Sequence, residues 1–330
     1  MIRFALLGCG RIGQVHARSI VMSTRAMVIA VADAQIEAAQ KLALQTGANV
    51  SSIDAILQSK DINAIIICTP TDTHADLIEA CIKAGKAVLC EKPVSLSADR
   101  IRKCIASIAK TPTTLMIGFN RRFDPNFAAV QKRIANGDIG IVEMLSITSR
   151  DPAPPPAEYI KRSGGLFRDM MIHDLDLARF FLGEEPTEIH AIGSSLFDPA
   201  IRAEGDVDSA AVMLKTASGK LCQISCSRRA TYGYDQRIEV LGSKGMLRAA
   251  NVHQTTVEIA DASGFRTDPL LNFFLERYVE AFRSELNHFI DAIEQGRPPS
   301  PCLLDGLRAQ VLADAASDAN KNGVAVKIEL

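Results

Sequence analysis

A lysine and an aspartate–histidine pair are the residues of this sequence best suited to acid–base chemistry. Lys92 follows an apolar run and precedes a proline, which favours an extended conformation at the lysine. Asp169 and His173 are four residues apart in a segment with helical periodicity, so their side chains would share one face. A carboxylate beside a histidine orients the ring and makes it more basic, as a general base requires. A solvated surface lysine and a purely structural Asp–His pair are the alternatives.

A glycine-rich segment predicts a dinucleotide site. Gly8, Gly10 and Gly13 follow the first predicted strand directly and open the first predicted helix. Gly8 permits the tight turn, Gly10 lets a pyrophosphate approach the backbone, and Gly13 lets the helix pack closely on the sheet. The helix N-terminus offers unbonded amides to the phosphates, and Arg11 and Ile12 there are also expected cofactor contacts.

Asp33 indicates which dinucleotide is bound. It ends the second predicted strand, twenty residues after Gly13. A carboxylate there can accept both ribose hydroxyls of the adenosine and would repel a 2′-phosphate. Ala34 and Gln35 supply no cation that could offset this repulsion. The sequence therefore predicts NAD rather than NADP, with a helix-capping role for Asp33 as the alternative.

The ends of the fourth and fifth predicted strands should also reach the cofactor, because ligands bind beyond the carboxyl ends of the strands in such sheets. The expected contacts there are Thr69, Pro70, His74, Glu91 and Lys92. Asp72 or Thr73 as a helix N-cap, with His74 as a first-turn residue, is the alternative interpretation.

The pattern of apolar and polar residues changes near residue 120, which predicts two domains. In residues 1–120, apolar runs predict buried strands over 4–7, 28–32, 64–68, 87–90 and 115–119. Helical patterns between them cover 11–23, 34–46, 53–59, 73–84 and 98–109. This alternation predicts an α/β fold with a doubly wound parallel sheet of the Rossmann type.

Residues 121–330 predict an α+β domain with a large open antiparallel or mixed sheet. Alternating segments at 142–148, 188–193, 210–215, 221–225 and 237–241 predict strands. Helices are expected over 126–136, from about Asp169, and over 272–294 and 305–320. The last helices could pack back on the first domain.

The composition of the chain limits which partners, cellular locations and metal sites are expected. The 330 residues are 47% hydrophobic and 23% charged, with 38 acidic against 37 basic side chains. No basic stripe favours a nucleic-acid partner, and no apolar stretch is long enough for a membrane span. The apolar N-terminus is too short for a secretory signal. The scattered cysteines favour buried thiols in the cytoplasm. No metal site is expected, because no second histidine lies near His173.

These motifs together resemble the Gfo/Idh/MocA family of dinucleotide-dependent oxidoreductases over essentially the whole chain. The resemblance lies in GCGRIG, CTPTDTHAD, EKP and GGLFRDMMIHDLDLARFFLG, and it implies that Lys92, Asp169 and His173 are catalytic. Three further segments, GFNRRFDPNF (118–127), SRDPAPPPAEYIKRSGG (149–165) and YGYDQRIEVLGSKG (232–245), look like the members that oxidise inositols. On that resemblance the substrate pocket includes Arg122, Asp151, Tyr232 and Tyr234. The family also implies a homotetramer formed through the open faces of the second-domain sheets.

The expected activity is NAD-dependent oxidation of a cyclic polyol, with myo-inositol and its 2-keto product as the leading pair. His173 would take the hydroxyl proton, Lys92 would hydrogen-bond the same oxygen, and Asp169 would orient them. Alternatives are scyllo-inositol or a related sugar, reduction of a keto or unsaturated substrate, and a sensor that binds dinucleotide without turnover.

Overall fold

The computed structural model describes residues 1–329. Its strands are β1 (Ile2–Leu7), β2 (Ala26–Ala32), β3 (Asn49–Val50), β4 (Ala64–Ile67), β5 (Ala87–Glu91), β6 (Leu115–Gly118), β7 (Val142–Arg150), β8 (Pro186–Ser194), β9 (Ser209–Thr216), β10 (Leu221–Ser227), β11 (Asp235–Gly242), β12 (Gly245–Ala249), β13 (Glu258–Asp261), β14 (Gly264–Thr267) and β15 (Val326–Lys327). Its helices are α1 (Arg11–Val21), α2 (Ile36–Thr46), α3 (Ile53–Gln58), α4 (Thr71–Lys83), α5 (Ala98–Ile108), α6 (Pro125–Ala135), α7 (Ala157–Ser163), α8 (Gly165–Asp169), α9 (Ile172–Leu182), α10 (Pro199–Ala203), α11 (Phe274–Arg277), α12 (Val279–Gln295) and α13 (Leu303–Asn322).

The first compact unit comprises Met1–Phe123 and Val279–Gln310. Its six strands are all parallel, in the order β3-β2-β1-β4-β5-β6. This is the Rossmann order, in which the strand sequence reverses between β1 and β4. The predicted doubly wound fold is confirmed.

Helix α12 belongs to the core of this first unit. Leu286, Phe289 and Ile290 are buried in the same hydrophobic cluster as Phe4 of β1, and the rings of Phe4 and Phe289 lie 6.2 Å apart. Full burial of a large apolar side chain contributes about 1.5–3 kcal/mol, so these contacts hold α12 firmly against the parallel sheet.

The second compact unit comprises Asp124–Tyr278 and the chain from Val311 onward. Its seven-stranded sheet has the order β12-β11-β7-β10-β9-β8-β15. Strand β7 runs parallel to β10, whereas the other neighbours are antiparallel. The sheet is therefore mixed, because helices rather than a tight turn connect β7 to the next strand.

One face of this sheet is buried beneath helices. Strand β9 alternates strictly between buried and exposed residues, and its inward side chains join a cluster with residues of α6, α9 and α13. The other face carries Met144, Met213, Leu241 and Ile192, which are between 42% and 66% exposed. Period-two alternation in the sequence thus corresponds to a sheet covered on one side.

Two predicted helices are interrupted in the structure. Asp169 and His173 were expected four residues apart on one helix, but α8 ends at Asp169 and α9 begins at Ile172. Met170 and Met171 lie between the two helices and are both buried. The helix predicted over 272–294 is likewise divided into α11 and α12 at the buried Tyr278.

The eight cysteines are all free thiols. Six of them are buried, and Cys68 and Cys302 are partly exposed. Burial raises the pKa of Cys9 to about 11 and those of Cys81 and Cys104 to about 12.

Candidate active site

The glycine turn after β1 is closely packed at two glycines and open at the third. Gly8 has a φ of 95°, and a Cβ there would lie 2.5 Å from the carbonyl carbon of Cys68. A Cβ on Gly13 would lie 2.0 Å from the carbonyl oxygen of Gly8. A Cβ on Gly10 would meet nothing within 4 Å, and Gly10 is the N-cap of α1 without a side-chain capping bond. The turn therefore leaves open the space that a pyrophosphate needs.

Two more expected contacts lie in the first turn of α1. Arg11 is exposed and Ile12 is partly buried. Their backbone amides belong to the helix N-terminus, where N–H groups lack intrahelical acceptors. This end of α1 can therefore donate hydrogen bonds to an anion.

Asp33 fixes the glycine turn to the end of β2. Its Oδ2 accepts a hydrogen bond from the Cys9 amide at 2.6 Å, and its Oδ1 accepts one from the Gln35 amide at 2.8 Å. Helix α2 begins at Ile36 with Gln35 as N-cap, so Asp33 does not cap this helix. A carboxylate oxygen can accept more than one hydrogen bond, which leaves acceptor capacity for ribose hydroxyls.

In the turn after β4, neither Asp72 nor Thr73 is the N-cap of the helix that follows. Helix α4 begins at Thr71 with Pro70 as N-cap, so Asp72 and Thr73 lie within the first turn. The Oγ1 atoms of Thr69 and Thr73 are 2.6 Å apart and hydrogen-bonded. Thr69 is partly buried and Pro70 is exposed, so both can reach a ligand beyond the sheet edge.

His74 is enclosed by the protein. It is 2% exposed, with Nδ1 at 2.8 Å from the Pro93 carbonyl oxygen and Nε2 at 2.7 Å from that of Thr69. Burial lowers the pKa of His74, and the bonds to the two carbonyl oxygens only partly oppose this effect. The ring thus links the turn after β4 to the turn after β5.

Glu91 and Lys92 differ in exposure although they are adjacent. Glu91 is buried, and its Oε1 lies 2.7 Å from Nε2 of His16. Lys92 is partly exposed within an otherwise buried stretch from Val88 to Val94. Sequence reasoning missed His16. Its place on the buried face of α1, three residues after Gly13, was the available signal.

Asp169 is held from two sides in the second unit. Its Oδ1 accepts a hydrogen bond from the Tyr159 hydroxyl at 2.8 Å, and its Oδ2 lies 3.6 Å from Nη1 of Arg228. Arg228 is only 1% exposed. Sequence reasoning identified neither partner, and no local pattern distinguishes Arg228 from an exposed arginine.

His173 is the partly exposed residue of a buried helical turn. It lies in the first turn of α9, and every other residue of Ile172–Arg179 is buried. Leu175, Ala178 and Phe181 of the same helix are buried. His173 and Asp169 lie in the second unit, whereas Lys92 lies in the first.

Arg122 and Asp151 lie in different units. In the first unit, Arg122 is 9% exposed and its Nη2 lies 3.1 Å from Oδ1 of Asp305. In the second unit, Asp151 directly follows β7, is partly buried, and donates its amide to the Ser227 carbonyl at 3.0 Å.

Tyr232 and Tyr234 occupy different surroundings within the second unit. Tyr232 donates to Oδ2 of Asp235 at 2.6 Å and lines a cavity of about 650 Å³. Burial and the bond to Asp235 raise the pKa of Tyr232. Neither Asp169 nor His173 belongs to the lining of this cavity. Tyr234 is buried, with its ring edge-on to that of Tyr278 at 5.9 Å.

Among residues 1–329, no three His, Cys, Asp or Glu side chains come close enough to hold a metal ion. In that same part of the chain, no helix is both long and apolar enough to cross a membrane.

Family models match both parts of the chain. Residues 2–119 match the oxidoreductase family with an NAD-binding Rossmann fold, and residues 127–248 match the GFO/IDH/MocA C-terminal domain.

Individual relatives are similar over nearly their whole length. Inositol 2-dehydrogenase of Rhizobium meliloti is 55% identical over 98% of this chain and 99% of the relative. The crystal structure of a myo-inositol dehydrogenase from Corynebacterium glutamicum has 44% identity and a TM-score of 0.96, covering 100% of this chain and 99% of that one. A scyllo-inositol dehydrogenase from Lactobacillus casei, crystallised with NAD(H) and scyllo-inositol, has 29% identity and a TM-score of 0.92, covering 99% of each chain.

Proposed function

The chain belongs to the GFO/IDH/MocA family of oxidoreductases with an NAD-binding Rossmann domain, and from this membership we propose that it oxidises myo-inositol to the 2-keto product. The proposal is supported by the 55% identity to an inositol 2-dehydrogenase across nearly both entire chains. At that identity and coverage, the site residues of the two proteins are expected to correspond.

The observation that carries the proposal is the exposure of Lys92 and His173. Each is the partly exposed residue of an otherwise buried stretch, so each can present a polar group to substrate from a fixed backbone. A lysine and a histidine can supply a hydrogen-bond donor and a proton acceptor near neutral pH.

The proposed chemistry assigns one role to each residue. NAD, when bound, supplies the acceptor for the hydride that leaves the substrate carbon. His173 accepts the hydroxyl proton at a ring nitrogen, and the Lys92 ammonium donates a hydrogen bond to the same oxygen. Asp169, held by Tyr159 and Arg228, orients the histidine and binds a neighbouring hydroxyl.

The first unit has the features that NAD requires. The open position at Gly10 and the unbonded amides of α1 suit the pyrophosphate, and the Asp33 carboxylate suits the ribose. The proposed cofactor contacts are Gly8, Gly10, Arg11, Ile12, Gly13, Asp33, Thr69, Pro70 and Lys92. His74 and Glu91, which the sequence also indicated as contacts, are buried, and we propose that they act through the turns beside them.

A second candidate substrate is scyllo-inositol or a related sugar. The Lactobacillus casei relative was crystallised with scyllo-inositol, which differs from myo-inositol in the orientation of one hydroxyl. The proposed pocket residues Arg122, Asp151, Tyr232 and Tyr234 would decide between such isomers.

The substrate is tested by following NADH formation with purified protein. The panel contains myo-inositol, scyllo-inositol, D-chiro-inositol and glucose, each with NAD and with NADP. NAD-linked turnover that is fastest with myo-inositol supports the proposal. Faster turnover of scyllo-inositol favours the second candidate. NAD binding without turnover of any polyol would indicate another substrate or a sensor.

We predict that Lys92→Met and His173→Ala each lower kcat by about 10²–10⁴-fold while NAD affinity changes little, because each removes a group that acts on the reacting oxygen. Steady-state kinetics and calorimetric titration with NAD measure the two quantities. Lys83→Met, at an exposed lysine of the first unit, is the matched control and should retain wild-type kcat. Near-normal turnover in either test variant excludes that residue from the mechanism.

The proposal extends to assembly and location. We propose a homotetramer formed through the open face of the seven-stranded sheet, supported by the exposed Met144, Met213, Leu241 and Ile192 on that face. We also propose a cytoplasmic location, which the free thiols of all eight cysteines support.

A further inference from the structure

Two buried histidines hold the residues on either side of Lys92. His16 of α1 bonds the Glu91 carboxylate through Nε2, and His74 of α4 bonds the Pro93 carbonyl oxygen through Nδ1. The two histidines are 1% and 2% exposed. Lys92 is covalently joined to both held residues but is itself partly exposed. Its side chain therefore leaves the core from a backbone that is tied to two different helices.

We propose that His16 and His74 are positioning residues for the reaction, which together fix the backbone from which Lys92 reaches the substrate oxygen. This inference rests on the proposed role of Lys92. A lysine side chain has several rotatable bonds, so the direction of its Cα–Cβ bond decides where the ammonium can be placed. A displacement of about 1 Å at a reacting group can lower the rate about 100-fold.

The Glu91 side is held by close packing as well as by the hydrogen bond. A Cβ added to Gly118 at the end of β6 would lie 3.1 Å from Cδ of Glu91, so the carboxylate lies directly against the neighbouring strand. The His16 ring packs edge-on against Phe282 of α12, with centroids 5.4 Å apart. Movement of His16 or of the carboxylate is therefore restricted by three separate elements.

The His74 side is held through a neutral ring. Because burial lowers the pKa of His74, the ring carries one N–H at neutral pH and can donate it to only one of the two carbonyl oxygens near its nitrogens. Our inference places this proton on Nδ1, so that the hydrogen bond is made to Pro93, which adjoins Lys92, and not to Thr69.

Two substitutions of His74 distinguish the effect of the hydrogen bond to Pro93 from that of the hydrogen bond to Thr69. The amide nitrogen of asparagine lies about where histidine Nδ1 lies, and that of glutamine about where Nε2 lies. We expect His74→Asn to keep the Pro93 bond and most of kcat, whereas His74→Gln should lose about 10-fold to 100-fold in kcat. The opposite order of activities would assign the effect to the Thr69 bond and overturn the inference.

A second pair tests the Glu91 side. His16→Gln keeps a donor near Nε2, whereas His16→Leu removes it and leaves a buried carboxylate without its partner. We expect kcat to fall more in His16→Leu than in His16→Gln, with the KM for substrate near the wild-type value. Circular dichroism melting determines the folded fraction, and kcat is expressed per folded molecule. Equal kcat in the two variants contradicts the proposal.

The decisive measurement adds His74→Gln to Lys92→Met. If His74 acts through Lys92, the double variant has the same kcat as Lys92→Met alone. A further fall equal to that seen in the wild-type background means that His74 acts elsewhere, and the inference fails. Wild-type turnover in Lys92→Met would instead refute the proposed function of Lys92. A large loss in Lys92→Met with unchanged kcat in the histidine variants refutes this inference alone.

Discussion

At the scale of single residues, Glu285 of α12 is an acid that is completely removed from water. It is 0% exposed, and neither carboxylate oxygen has a hydrogen-bond partner among the described residues. Burial, and secondarily the nearby charge of Glu91, raise the pKa of Glu285 well above its usual range. The folded protein therefore keeps this proton at pH values where the unfolded chain has lost it.

This difference gives the stability a defined pH dependence. Below the ordinary glutamate pKa of about 4.3, both states bind the proton and the group contributes no difference. Above it, the unfolded chain releases the proton and the folded chain does not, so stability falls as the pH rises.

We predict that Glu285→Gln raises Tm relative to wild type, and that the gain is larger at about pH 8 than at about pH 5, because glutamine has no proton to release. Differential scanning calorimetry at the two pH values measures the gain. Glu280→Gln, at a half-exposed position of the same helix, is the control and should change Tm little at either pH. A gain that does not grow with pH contradicts the assignment of a protonated Glu285.

The sequence indicated the proposed catalytic residues but not the residues that hold them in place. Lys92 and His173 were proposed from motif and residue type. Their supports were not, because the partners are distant in the chain: His16 and Glu91 are 75 positions apart. Arg228 reaches Asp169 only after the strands have paired, so no local spacing could have indicated that ion pair.

At the scale of elements, two glycines of the turn between β1 and α1 differ in the space around them. The missing Cβ of Gly13 permits contact with the Gly8 carbonyl, whereas the missing Cβ of Gly10 leaves open space. Gly13 is required by the fold, whereas we propose that Gly10 is required by the ligand.

We predict that Gly13→Ala lowers the free energy of unfolding by roughly 1–3 kcal/mol or more, because a methyl group would overlap backbone. Gly10→Ala should keep the wild-type Tm but weaken NAD binding roughly tenfold or more, because the methyl group enters the pyrophosphate space. Thermal melting without NAD and calorimetric titration with NAD measure these effects, and each variant is the control for the other. Wild-type NAD affinity in Gly10→Ala would locate the pyrophosphate elsewhere.

Regular elements with long apolar patterns were predictable, and short or interrupted ones were not. The six-stranded sheet follows from runs of buried residues such as Ala64–Ile67. Strand β3 has only two residues and is defined by its pairing with β2. The break between α8 and α9 falls at Met170 and Met171, where the sequence has no glycine or proline that would mark it.

At the scale of the whole molecule, side chains of adjacent strands lie next to one another across the open face of the seven-stranded sheet. Met213 lies opposite Gln223 on one side and His190 on the other. In an adjacent row, Met144 lies opposite Leu221 and Leu241. These apolar side chains lie among charged ones, because Lys215 is opposite Leu221 and Glu239 is opposite Ser146 on the same face.

We predict that Met213→Glu converts the proposed tetramer into smaller species, because a pair of subunits would bury the new carboxylates without partners. Size-exclusion chromatography with light scattering measures the mass. Leu44→Glu changes an 88% exposed leucine of α2 and is the control, for which we expect an unchanged mass. A tetramer that persists in Met213→Glu would exclude this residue from the interface.

The patterns of the last sixty residues predicted helices, but they left open which sheet each helix covers. Leu286, Phe289 and Ile290 define one apolar face of α12, but the pattern does not say which sheet this face covers. The structure places it in the core beside Phe4 of the parallel sheet.

The enclosed thiols described above make the unaltered chain convenient for site-specific labelling. Maleimide dyes react with thiolate, which is scarce at neutral pH wherever burial raises a cysteine pKa, as it does for Cys9, Cys81 and Cys104. Cys68, although partly exposed, is also held well above its usual pKa by burial. Cys302, which immediately precedes α13, is the other partly exposed thiol. A fluorophore can therefore be attached at Cys302 of the native sequence, without first removing the other cysteines by mutagenesis.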